Sequence, residues 1–120
     1  MSVLTSDGAT LRAFADSVLR AAEENAEEVT PVILAVTGGV LTEAEPGSIA
    51  LQEEDDGPGL LWATFAGRRM VFRYNGMTAM VELRDGRTDG NPTRLFGRRA
   101  LPMDVVNFFG ALRAERRAER

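Results

Sequence analysis

The stretch from Leu60 to Arg84 constrains the fold most, because two turn signals separate three runs of strand-forming residues. Asn75-Gly76 divides Met70–Tyr74 from Met77–Leu83. A two-residue type I′ turn needs positive φ at both central residues, which Asn and Gly tolerate best. That turn predicts Tyr74 opposite Met77, Phe72 opposite Ala79 and Met70 opposite Val81. Gly67-Arg68 suits a type II′ turn, setting Ala66 opposite Arg69 and Trp62 opposite Arg73. Side chains alternate along a strand, so Leu61, Ala63, Phe65, Met70, Phe72, Tyr74, Met77, Ala79 and Val81 share one apolar face. The second face is mixed: Leu60, Trp62, Thr64, Val71, Thr78 and Met80 stand among Arg69, Arg73 and Glu82. The same register predicts a cross-strand salt bridge between Arg69 and Glu82.

Helical periodicity flanks this unit. Leu11, Phe14, Ala15, Val18, Leu19, Ala22, Ala26 and Val29 recur at spacings of three and four, predicting a helix over 7–29. Ser6 or Asp7 is its expected N-cap, and Pro31 is expected to end it. Glu23, Glu24, Glu27 and Glu28 then load its last turns with charge that the helix dipole disfavours. Arginines of the second half are expected beside them. The apolar run Val32–Val36 reads as a buried strand interrupted by a bulge at Gly38-Gly39, with a short helix as the alternative.

Glu45-Pro46-Gly47 is a turn. Ser48–Gln52 is a strand with Ile49 and Leu51 inward, and residues 53–59 form an acidic turn. A loop over 85–92 and a short edge strand over 93–96 precede a helix over 101–113, with Pro102 at its first position. Its stripe is Leu101, Val105, Phe108, Phe109 and Leu112, and the polar residues 113–120 are expected to fray or project into solvent. The fold class is therefore α+β in a single domain over 1–120: N-terminal helix, antiparallel β-meander of four to six strands, C-terminal helix. Helices on an apolar sheet face make a two-layer α/β sandwich.

Composition narrows the chemistry. The chain has no His, no Cys and no Lys, and all 14 basic residues are Arg. The commonest general base, thiolate chemistry and Schiff-base chemistry are thus absent. No enzyme, cofactor or metal is expected. The run Glu53-Glu54-Asp55-Asp56 lacks the alternate spacing of a calcium loop, and Gly38-Gly39 lacks a phosphate-loop pattern. No apolar run is long enough to span a membrane, and no basic-then-apolar leader opens the chain. With no Cys, a cytoplasmic chain is expected. The all-Arg basic set reads as the codon bias of a GC-rich bacterial or phage genome. A chain this small and motif-poor also fits an accessory protein carried on a mobile element.

The net charge of −4 conceals a division. Residues 1–59 hold 12 acidic residues against 2 Arg, −10, and residues 60–120 hold 6 against 12, +6. The two halves either neutralise each other across the fold or leave a basic surface.

If both helices cover the apolar face, Leu60, Trp62, Val71, Arg73 and Met80 are left on an uncovered one. Trp, Met and Arg are enriched at interfaces. These five are the candidate interface residues of a small non-enzymatic interaction protein, expected to self-associate as a homodimer. A helix on each face would instead make the patch core. Two binding modes compete. Arg68, Arg69, Arg94, Arg98 and Arg99, with Arg87 nearby, could gather as an anion or nucleic-acid site, and a helix–sheet pocket could take a small molecule. Nucleic acid is the less expected, given the acidic balance and the absence of a recognition motif.

Overall fold

The computed structural model describes residues 3–54, 57–97 and 102–118. The helix expected over 7–29 is two helices. α1 spans Val3–Ala22, a 3₁₀ turn holds Glu23–Asn25, and α2 spans Ala26–Glu43. Glu23 takes φ 50°, a left-handed conformation that stops α1. The break places Glu27 and Glu28 in the first turn of α2, where the helix dipole favours carboxylates. For these two carboxylates the dipole no longer calls for nearby arginines. Among the described residues, no ion pair joins Glu23, Glu24 or Glu27 to an arginine.

Pro31 lies inside α2 and does not end a helix. Its missing N–H would have bonded the carbonyl of Glu27; both residues are exposed, so that carbonyl is open to water. The run Val32–Val36, expected as a strand, is helical, and α2 continues through Gly38-Gly39 without a bulge. Val29, Val32, Ile33, Val36 and Val40 are buried at helical spacing, while Leu34 is 62% exposed. That one outward leucine makes the run look continuous. Ser6 and Asp7 fall within α1 and do not cap it. Asp7 is buried and its Oδ2 accepts a hydrogen bond from the Gly47 N–H at 3.2 Å.

Five strands follow: β1 Ala50–Gln52, β2 Leu60–Phe65, β3 Arg68–Asn75, β4 Met80–Asp85 and β5 Arg94–Phe96. They form one antiparallel meander in chain order. Both hairpin registers differ from expectation. In the first, Phe65 faces Arg68 and Trp62 faces Val71; the turn residues are Ala66 and Gly67, both left-handed at φ 50° and 81°. That is a type I′ pair. In the second, Tyr74 faces Val81 and Asn75 faces Met80, so the loop is Gly76 to Ala79. Asn75 organises it through its side chain: Oδ1 accepts from the Met77 N–H at 3.0 Å, while Nδ2 donates to Glu82 at 3.3 Å. The slips are two and four residues. Even slips leave the strand side chains on their expected faces, but Met77, expected on the apolar face, falls in the loop and is 98% exposed. They do separate Arg69 from Glu82, which instead faces Arg73 and ion-pairs with Arg84 at 3.0 Å.

α3 spans Pro102–Ala118; of the two expectations for its end, it stays helical to residue 118 and projects into solvent, with Arg113, Ala114, Glu115 and Arg117 exposed. Two ion pairs tie this end to the body: Arg113 to the buried carboxylate of Glu43, and Glu115 to Arg68 at 3.2 Å. The fold is α+β, as expected. One core joins all three helices to the apolar sheet face, from Leu11, Phe14 and Val18 through Val36 and Val40 to Phe65, Phe72, Leu83, Val105 and Phe109. α2 lies between α1 and α3. No helix among the described residues is long and apolar enough to cross a membrane.

Candidate functional site

Three helices on one side leave the opposite sheet face without a covering layer. Val71 is the centre of that face. Its cross-strand neighbours are Trp62 on β2 and Arg84 on β4. Arg69 and Arg73 flank it on its own strand, two residues away on the same face. Val71 is 2% exposed and Leu60 4%, and neither belongs to the main core. Leu60 sits between Gln52 and Arg73. Long side chains with apolar stems thus cover the aliphatic ones. Of the five candidate interface residues, a partner would meet Trp62, Arg73 and Met80, with Leu60 and Val71 beneath them.

The polar groups are fixed. The Trp62 indole N–H donates to Gln52 Oε1 at 2.9 Å, and the Arg69 guanidinium stands 5.6 Å from the Trp62 ring centre. Arg69 Nη1 donates to the Ser48 carbonyl at 2.6 Å and to Thr64 Oγ1 at 3.2 Å. Both acceptors are neutral, so its charge is not compensated there. Arg73 reaches Glu54 at 3.6 Å in an exposed pair. Arg84 and Glu82, only 13% and 14% exposed, form a tighter one, and Arg84 Nε also donates to the Gly90 carbonyl at 3.0 Å. Sequence reasoning missed Leu95, which faces Glu82 and is 49% exposed. Met80 lies against the backbone of Gly97 beside it.

Of the arginines that could gather at one end, Arg68 and Arg94 come together among the described residues and Arg69 stands apart. Arg68 and Arg69 are consecutive on β3 and point to opposite sides of the sheet. Arg68 is held by Asp85 at 3.5 Å and Glu115 at 3.2 Å. Arg94 lies 5.8 Å from the Phe108 ring centre and shares a cavity of about 190 Å³ with Arg68, Asp85 and Glu115. Arg98 and Arg99 lie outside the described residues. Arg87 is engaged by Asp89 through contacts of 3.1 and 3.3 Å. That hydrogen bonding, with the opposite charge, raises the guanidinium pKa and lowers the carboxyl pKa.

Two comparisons with known proteins bear on this chain. No curated protein matches it. A family model described as "Integron cassette protein VCH_CASS1 chain" matches residues 11–106, a span that takes in most of α1, all of α2, the whole sheet and the start of α3. With the match covering the site as well as most of the core, the chain belongs to the integron cassette protein VCH_CASS1 chain family.

Proposed function

We propose that this chain is a small, non-enzymatic interaction protein that uses its open sheet face to bind another protein. The observation that carries the reading is the placement of all three helices in one core on the opposite face. Trp62, Met80 and Leu95, set among Arg69, Arg73 and Arg84, match the residue types that interfaces favour. The lack of His, Cys and Lys supports a binding role over catalysis. The fitting partner is a polypeptide segment with carboxylates around an aromatic or aliphatic anchor. A carboxylate would supply Arg69 with the counter-charge that Ser48 and Thr64 do not. A polyanion fits less well, because Glu54 and Glu82 share the face and Arg68 is already paired. The family's description as a cassette protein agrees with an accessory protein carried on a mobile element.

The test selects peptides from a random display library against the folded chain. Trp62 is the sole tryptophan, so its emission reports on the face directly. The reading expects selected peptides to be acidic, to shift Trp62 emission, and to bind at least about tenfold more weakly to Arg69→Glu. Peptides that leave the emission unchanged and bind Arg69→Glu as well as the parent would overturn it.

A further inference from the structure

The self-association expected of this chain has a better surface than the sheet. Among the described residues, four of the six large apolar side chains that stand exposed lie on α2 and α3: Leu34 62%, Leu41 41%, Met103 60% and Val106 53%. They fall into two stripes at spacings of three and four. Pro31, Leu34, Gly38 and Leu41 follow one another on α2, and Met103, Val106 and Gly110 on α3, all exposed. Between the stripes runs a groove of about 320 Å³. Gly38 and Gly110 border it, and a β-carbon on either would touch nothing in this chain. Glycine weakens a helix interior relative to alanine, and no internal contact explains it at these two positions.

We propose that this surface pairs with a second copy of the chain about an antiparallel two-fold axis. The register follows from how the two helices lie together. Gly39 packs on Phe109, and Arg113 bonds Glu43 across 70 residues. α2 and α3 therefore run parallel, 70 residues out of step. An axis crossing α2 midway between Leu34 and Gly38 sets each Leu34 on the partner's Gly38 and each Pro31 against the partner's Leu41. The same axis meets α3 at Val106, which then lies against its own mate, with Met103 over the partner's Gly110. Each copy supplies both the protruding side chains and the gaps that receive them, as an isologous interface requires.

Charge agrees with this orientation. Glu27 stands exposed in the first turn of α2, and Arg113 and Arg117 stand exposed near the end of α3. The two-fold axis brings each Glu27 level with the partner's Arg117, so opposite charges meet at both rims, while Arg113 stays on Glu43 of its own chain. The proposal does not depend on the sheet-face reading. It buries the opposite side of the molecule and leaves Trp62 outward in both copies.

The chain has no cysteine, which makes a cross-linking test clean. The parent chain should sediment at twice 13.0 kDa at micromolar concentration. Leu34→Glu and Val106→Glu, both at exposed positions, should give folded monomers by circular dichroism, whereas Trp62→Ala should remain dimeric. Under mild oxidation Val106→Cys should link to its own mate in most molecules, and Leu95→Cys should not. A parent chain that is monomeric at every concentration, a dimer indifferent to both glutamates, or equal cross-linking of Val106→Cys and Leu95→Cys would each overturn the proposal.

Discussion

The ring of Phe109 occupies the space that a β-carbon on Gly39 would need. The ring is hemmed in by Phe65, Phe72 and Phe108, with centroids at 5.9, 6.3 and 5.2 Å. This contact lets α2 and α3 lie close enough to share a groove. Gly39→Ala is expected to destabilise the chain by about 1–3 kcal/mol through overpacking. Gly8→Ala, where a β-carbon meets nothing, should stabilise it by up to about 1 kcal/mol. Urea unfolding of the two variants checks the contrast.

The β2–β3 turn carries a removable strain. Ala66 is left-handed at φ 50° beside Gly67, a conformation costing an L-residue roughly 1–2 kcal/mol. Asn tolerates it better, and Asn-Gly is the favoured type I′ pair. Ala66→Asn should raise stability by about 1 kcal/mol, measured by thermal unfolding. No gain would mean that the turn relaxes without it.

The ion pairs differ in what they contribute. Arg84 and Glu82 are mostly out of water, and Arg84→Ala leaves the half-buried Glu82 carboxylate without its ion-pair partner, with Asn75 still donating to it. The expected loss is about 1–3 kcal/mol. Arg12 and Asp16 stand 3.9 Å apart in water, so Arg12→Ala should change stability by about 0.5 kcal/mol or less. Equal effects would remove the structural role given to Arg84.

Asp89 gives a pH signature. Hydrogen bonding to Arg87, then its charge, lowers the carboxyl pKa below the ordinary aspartate value. A carboxyl depressed in the folded state adds stability above its unfolded pKa and loses it as pH falls through the lower folded value. Carboxyl titration followed by NMR should place Asp89 below ordinary aspartates, and Arg87→Ala should raise it toward the usual range.

Much of this was legible in the sequence, and the failures have physical causes. Face assignment within the strands survived because the two hairpin registers slipped by even numbers, while Met77 left its expected face for the loop. The partners of Trp62 and Tyr74 did not, because Ala66 accepted a left-handed φ and the Asn75 side chain closed a longer loop. α2 was hidden by Pro31, whose lost hydrogen bond falls on an exposed side, and by Leu34, whose outward apolar side chain blurred the helical period. Of the candidate site, Trp62, Arg73 and Met80 were legible. Leu95 was not, since three strand residues carry too little alternation to assign a face. Within the arginine set, the pleat sends Arg69 to the side opposite Arg68 and Arg94.

Separation of Arg68 from Arg69 bears on nucleic acid. Each phosphate neutralised by an arginine steepens the salt dependence of binding. With the arginines divided and Arg68 paired, short single- and double-stranded DNA and RNA should not be retained at physiological ionic strength. Retention that survives that salt and is lost in Arg98→Ala plus Arg99→Ala would favour the anion-binding alternative.

The claim that the open sheet face is the contact surface is tested most directly by NMR, mapping amide and side-chain shifts as a selected acidic peptide is added. The account predicts the largest changes at Trp62, Arg69, Arg73, Met80 and Leu95, with α2 and α3 undisturbed. Changes centred on Leu34 and Val106, or around Arg68 and Arg94, with Trp62 unmoved, would contradict it.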